Sequence, residues 1–277
     1  ERNLAYDGRC VEVVPDLPLT HLHQHLSQTR LKLAQFAEAR AAAGAAVRIA
    51  RRGRLRDELY KALGCVGLVE LGAARPHAAI ESLEASLAVV HAYAPEACAR
   101  SHAYLIQALG QSGDATRASH EFSAALEHSK AHHDGDASAS TEAWLRTSHG
   151  GALVACGKFD AATAVLDVAC VRDAIATAPL PGLLARRHLG IALTADRARR
   201  AEGHALLAAS PVVHPLLGSG LLFAAQTNVL CEARARLQHG EWDRDVEGRA
   251  LAELDRFPAY LDVPTIDRRG LVKLVSG

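Results

Sequence analysis

The sequence predicts an all-α fold, a solenoid of antiparallel helix pairs, and three observations carry that expectation. Alanine makes up about a fifth of the 277 residues while aromatics make up 4%, a balance poor in the side chains that cover β-sheets. Apolar residues recur at three- and four-residue steps, with no useful run of strict alternation, which is the patterning of amphipathic helices. The pattern also repeats. Leading alanines at positions 39, 79, 118, 162 and 201 are separated by 40, 39, 44 and 39 residues, and a period in this range marks stacked helical units.

The units follow one another along the chain. In the first, Phe36 and Ala39 lead to Ala43 and Ala46. The second places Ala79, Leu83 and Ser86 after the break Gly72-Ala73-Ala74-Arg75-Pro76, and the third places Ala118, Phe122 and Ala125 after Gly113-Asp114. In the fourth, Ala162, Leu166 and Ala169 run down one second helix after Gly157-Lys158-Phe159. A fainter fifth unit has Ala201, Ala205 and Ala208, and a sixth is expected around residues 237–242. Gly and Asp in the breaks suit helix termination and the capping of the next helix. Gly67, Gly150 and Gly190 fall inside first helices. Glycine there costs about 0.5–1 kcal/mol against alanine, so its recurrence implies close packing. The expected organisation is an arm over residues 1–18 (strand-like only at Cys10–Val14), a repeat array over 19–255, and a tail or capping helix over 256–277.

Charge and composition remove several functions. Lys and Arg number 31, as do Asp and Glu, so no net field draws the chain to nucleic acid or anionic lipid, and neither is an expected partner. No apolar stretch reaches the length of a membrane span. The six cysteines are scattered, with no C-x-x-C pair, and read as small buried hydrophobes in a reducing compartment. Methionine is absent and the chain opens at Glu1 without a signal-type segment. This reads as a piece of a longer polypeptide or a processed product, with the cytoplasm as the expected compartment.

No phosphate-cradling, dinucleotide, metalloprotease or nucleophile-elbow motif is present, so no enzyme activity, catalytic residue or cofactor is expected. His21 and His25 would share a helix face and make half of a metal site, but no third ligand lies at motif spacing. His128, His132, His133, Asp134 and Asp136 read as a helix C-terminus running into a loop, where histidine complements the dipole. No metal is expected at either place, and a metal-dependent helical enzyme built on these histidines is the lesser alternative. The run Arg48, Arg51, Arg52, Arg54 and Arg56, with only Tyr60 near it, reads as a solvated turn.

At these positions the pattern resembles the tetratricopeptide repeat (TPR) family. Gly150, Gly157, Phe159, Ala162, Leu166 and Ala169 carry the resemblance best, and Gly113, Ala118, Phe122 and Ala125 carry it in the preceding unit. It spans roughly residues 19 to 255, with a period near 40 where the family's usual repeat is about 34. Longer-helix arrays of bacterial multidomain signalling kinases and large ATPase-type regulators are more similar in this respect. The resemblance implies a right-handed α-solenoid of five to six TPR-like repeats, acting as a protein-interaction scaffold or as the regulatory part of a larger signalling protein with an upstream domain. It also implies a concave groove lined by first helices, where a peptide or helix would meet His21, Gln24, Gln28, Lys61, Arg100, Tyr104, Gln107, Trp144, Thr147, Arg186 and Arg187 as exposed positions. The family's chaperone-binding clamp positions correspond to Gln24, Gly64, Ala103, Thr147 and Arg186, which lack its Lys and Asn, so a chaperone C-terminus is not the expected ligand.

Overall fold

In the computed structural model, the described residues are 16–32, 35–132, 135–177, 179–208, 231–233, 235–236, 238–241, 244–246 and 248–249. The expected arm over Cys10–Val14 and the tail over 256–277 lie outside them. Every regular element among the described residues is helical. The first pair is α1 (Asp16–Lys32) with α2 (Phe36–Arg52), and the second is α3 (Arg56–Gly72) with α4 (Pro76–Tyr93). A 3-10 turn at Pro95–Ala97 leads into the third pair, α5 (Ala99–Gln111) and α6 (Ala115–His132). The fourth joins α7 (Gly135–Ala155) to α8 (Phe159–Leu166), α9 (Ala169–Thr177) is an extra short helix, and the fifth joins α10 (Pro179–Ala195) to α11 (Arg200–Ala208). Helices of 17 and 18 residues account for the long period, and the 44-residue step contains α7, which has 21.

The first helices α1, α3, α5, α7 and α10 pack successively on one another, and each second helix packs on its own partner and on the first helix that follows. The turns that reverse the chain share one geometry. After α2, α3, α5 and α7 the second residue before the next helix has positive φ: Arg54, Ala74, Gly113 and Gly157. In each, the following N–H reaches back five residues, as in Asp114 N to Leu109 O at 2.9 Å and Lys158 N to Leu153 O at 2.9 Å. This closes the carbonyls left open at a helix end. Asp114 then caps α6, accepting from the Arg117 N–H at 2.9 Å. Gly72, expected in the second turn, instead ends α3. A Cβ there would stand 2.8 Å from Leu31 and 3.2 Å from Phe36, and Ala74 takes the left-handed position.

The helix-internal glycines do what their recurrence implied. A Cβ on Gly67 would lie 2.5 Å from Leu83, on Gly150 2.3 Å from Leu166, and on Gly190 2.7 Å from Leu207. All three leucines are fully buried. In each of these pairs the first helix is hollowed at the crossing and a leucine of the second helix fills the hollow, the small-against-large matching that brings helices close. Losing such a leucine to alanine costs about 2–5 kcal/mol.

One expectation is corrected. Ala169 does not continue the helix of Ala162 and Leu166. The helix ends at Leu166, and Asp167 turns aside to Arg172 and Arg199 at 2.7 Å each. Glu202 completes a four-member ring of charges with the same two arginines at 2.7 Å, and α9 starts anew at Ala169. Among the described residues no helix is long and apolar enough to cross a membrane.

Candidate partner-binding face

The layer of first helices carries all eleven residues singled out in the sequence, but the structure divides them into two groups. At the N-terminal end the organiser is Glu58 of α3, a buried carboxylate the sequence reading passed over. His21 of α1 stands 3.0 Å from it, Gln24 donates to its Oε2 at 3.0 Å and to its backbone carbonyl at 3.2 Å, and Lys61 lies at 3.1 Å. Burial alone would push the Glu58 carboxyl up, yet the bonds from His21, Lys61 and Gln24 outweigh it and hold it below its ordinary value. Gln28 similarly donates to the Cys65 Sγ at 3.7 Å. Three expected contact residues, His21, Gln24 and Gln28, therefore spend their hydrogen bonds joining α1 to α3, while Lys61 pairs with Glu58 within α3 itself.

The middle of the layer differs. Arg100 opens α5 and is exposed. Its charge acts on both Tyr60 of α3 and Tyr104 of α5. Tyr104 meets Trp144 of α7 edge to face, ring centroids 6.3 Å apart, and both are half-buried against the central core. Gln107 donates to Ser148 at 3.0 Å and ties the same two helices. Tyr60, missed in the sequence, belongs here: residues 60, 104 and 144 place one aromatic on each of three successive first helices, a spacing of about one repeat.

Two expected exposed positions are corrected. Gln24 is 8% exposed and Thr147 is 1% exposed. Gln24 is drawn in by Glu58, and the Thr147 hydroxyl bonds back to the Ala143 carbonyl at 2.7 Å, the usual escape for a hydroxyl inside a helix. Arg186 and Arg187 of α10 are only partly exposed, and burial pushes both guanidinium pKa values down. Arg186 reaches toward the Ile175 carbonyl at 3.5 Å.

His21, which could share a helix face with His25, stands against Glu58. The arginine run lies on exposed parts of α2, the turn and the start of α3, with Arg52 paired to Asp16. A different set of donors does come together. His91, Cys98 and His128 bring one potential ligand atom each within 4.8 Å of one another.

Helical hairpins with hollowed first helices, a left-handed residue in the turns and successive stacking define a TPR-like helical-repeat fold. No protein-family model and no curated protein matches the chain. Among solved structures it is similar to the crystal structure of a Rap protein complexed with Competence and Sporulation Factor, with a TM-score of 0.60 and 14% identity over 94% of this chain and 76% of that one. At that identity the likeness is one of fold.

Proposed function

We propose that this chain is a non-catalytic protein-interaction scaffold or sensor module that takes a peptide or helix on its layer of first helices, within a bacterial cytoplasmic signalling route. The observation that carries the reading is the middle of that layer, where the Tyr104–Trp144 pair stands beside the exposed Arg100. Half-buried aromatics offer large apolar contact at small entropic cost, and the guanidinium grips a carboxylate bidentately, the combination typical of binding hot spots. The likeness to a Rap protein solved with Competence and Sporulation Factor supports the same use of the fold. With equal numbers of acidic and basic residues overall, steering of a partner is local to this patch.

The test is selection of a displayed random-peptide library on the immobilised chain. Enriched sequences are expected to pair an acidic residue with an apolar one, and Arg100→Glu is expected to reduce their affinity at least tenfold with helix content unchanged. Arg100 is the residue to vary because Arg186 is partly buried. Enriched peptides that bind the Arg100→Glu and Tyr104→Ala variants as tightly as the parent chain would remove this face from consideration.

A further inference from the structure

On the side of the molecule formed by second helices, where α4 hands over to α5, the chain gathers an unusual set of donors. His91 comes from the last turn of α4, Cys98 from the end of the 3-10 turn, His102 from the first turn of α5, and His128 with Glu121 from α6. None of these residues belongs to the partner-binding face. Cys98 is 1% exposed, while His91 is exposed and leaves the cluster open to solvent. The His91 ring stands 5.2 Å from those of His102 and His128, and these two lie 6.2 Å apart.

Two of the imidazoles are already set to be ligands. His102 shares a 2.5 Å hydrogen bond between Nδ1 and Glu121, so Nδ1 carries the proton and Nε2 the lone pair. That Nε2 is buried and has no hydrogen-bond partner, a costly arrangement for a polar atom inside a protein. His128 Nε2 lies 2.8 Å from the Pro95 carbonyl, which can only accept, so its Nδ1 also presents a lone pair. A histidine whose far nitrogen is held by a carboxylate or carbonyl is the arrangement that orients metal ligands.

We propose that His91, Cys98, His102 and His128 form a binding site for a divalent zinc-type cation, with Glu121 positioning His102. Three imidazoles and a thiolate are a borderline-soft, nitrogen and sulfur donor set suited to tetrahedral zinc. Ligand atoms around such an ion stand roughly 3.3–3.7 Å apart at ordinary Zn–N and Zn–S lengths. The three donors within 4.8 Å therefore need to close by only about 1 Å; His102 lies outside that trio, its ring 5.2 Å from that of His91, and moves in as the fourth together with Glu121. On binding, the Cys98 thiol loses its proton to solvent and the three imidazoles bind as neutral rings. The +2 ion, the thiolate and the Glu121 carboxylate then sum to zero. The cation would tie the linker over residues 94–98 to α6 and so fix the angle between the second and third helix pairs.

The experiment uses the full chain and two probes, Zn²⁺ by titration calorimetry and Co²⁺ by absorption spectroscopy. One tight site per chain and a cobalt–thiolate charge-transfer band are expected. The band should vanish in Cys98→Ser and persist in Cys156→Ser, and Glu121→Gln should weaken Zn²⁺ binding about 10- to 100-fold. His91→Asn, at an exposed position that folding tolerates, should weaken it at least tenfold and serves where Cys98→Ser fails to fold. Absence of the thiolate band, its survival in Cys98→Ser, or unaltered affinity in His91→Asn would each overturn the site, because binding would then come from scattered surface histidines.

Discussion

Successive first helices are joined in two different ways, one at the N-terminal end of the array and the other from its middle onward. Between α1 and α3 the joint is polar, made by Glu58 with His21 and Gln24 and by Cys65 with Gln28. Between α5 and α7 it is a matter of shape: a Cβ on Gly110 would lie 2.3 Å from the Ala152 Cα. Between α7 and α10 the same device recurs, with a Cβ on Gly151 placed 2.7 Å from the His188 ring. A polar joint consumes donors and acceptors, and what remains there for a partner is small. A joint of missing side chains consumes little that is polar, here chiefly Gln107 with Ser148, so Arg100, Tyr104 and Trp144 flank it without being drawn into it. The proposed binding face thus lies where the helices are held together by shape.

The difference is open to direct tests. Gly110→Val should be the most damaging, because the neighbouring atom is backbone and cannot rotate away; a loss of about 3 kcal/mol or more is expected by denaturant unfolding. Acid should act next, and chiefly on the later units. His149 is 6% exposed, stacked on Phe122 at 4.4 Å with its Nε2 2.9 Å from the Ser119 hydroxyl, and burial, aided by Arg146, lowers its pKa to about 4. His188 is lowered to about 3, by burial and Arg187. For a depressed histidine the unfolded chain binds the extra proton, so stability is lost as pH falls below about 6.5. From His149 alone the loss is about 2 kcal/mol by pH 5, and His149→Gln should flatten that part of the profile.

At the polar joint, Glu58→Leu should cost about 1–2 kcal/mol, since the buried Gln24 amide loses its acceptor while His21 and Lys61 return to water. Its carboxyl is held low, so the stability it contributes is present above its ordinary pKa and fades as pH drops through the lower folded value. Parent and variant stability curves should therefore converge below about pH 4. The turns give the smallest effects. Gly113→Ala should lose about 1 kcal/mol and Ala74→Gly should gain up to about 1 kcal/mol, both read as shifts in Tm, because each position has positive φ.

Local rules made most of the fold legible. The period of the alanines gives the pairs, Gly113 and Asp114 give a turn and a cap, and Gly67, Gly150 and Gly190 mark the hollows. The misses share a cause. Gly72 looked like a turn residue because a glycine beside a break fits both roles until Leu31 and Phe36 arrive from another pair. Ala169 kept the helical period, and only the remote Arg199 and Glu202 show why the chain breaks before it. Glu58 drew no notice in a string that holds no record of α1 lying over it. His91, Cys98, His102 and His128 follow no motif spacing, although Cys98 and His102, four residues apart at a helix start, share a face and give the one local hint.

The amino-acid sequence by itself determined that this chain is a row of helical hairpins, because helix periodicity, turn chemistry and small-residue spacing are set by neighbours within a few residues. Tertiary structure alone decided which polar side chains are spent inside the array and which are left open at its surface. Those outcomes depend on atoms 30 to 40 positions away in sequence, as Gln24 with Glu58 and His128 with Pro95 show, and burial rather than residue type sets what each contact is worth.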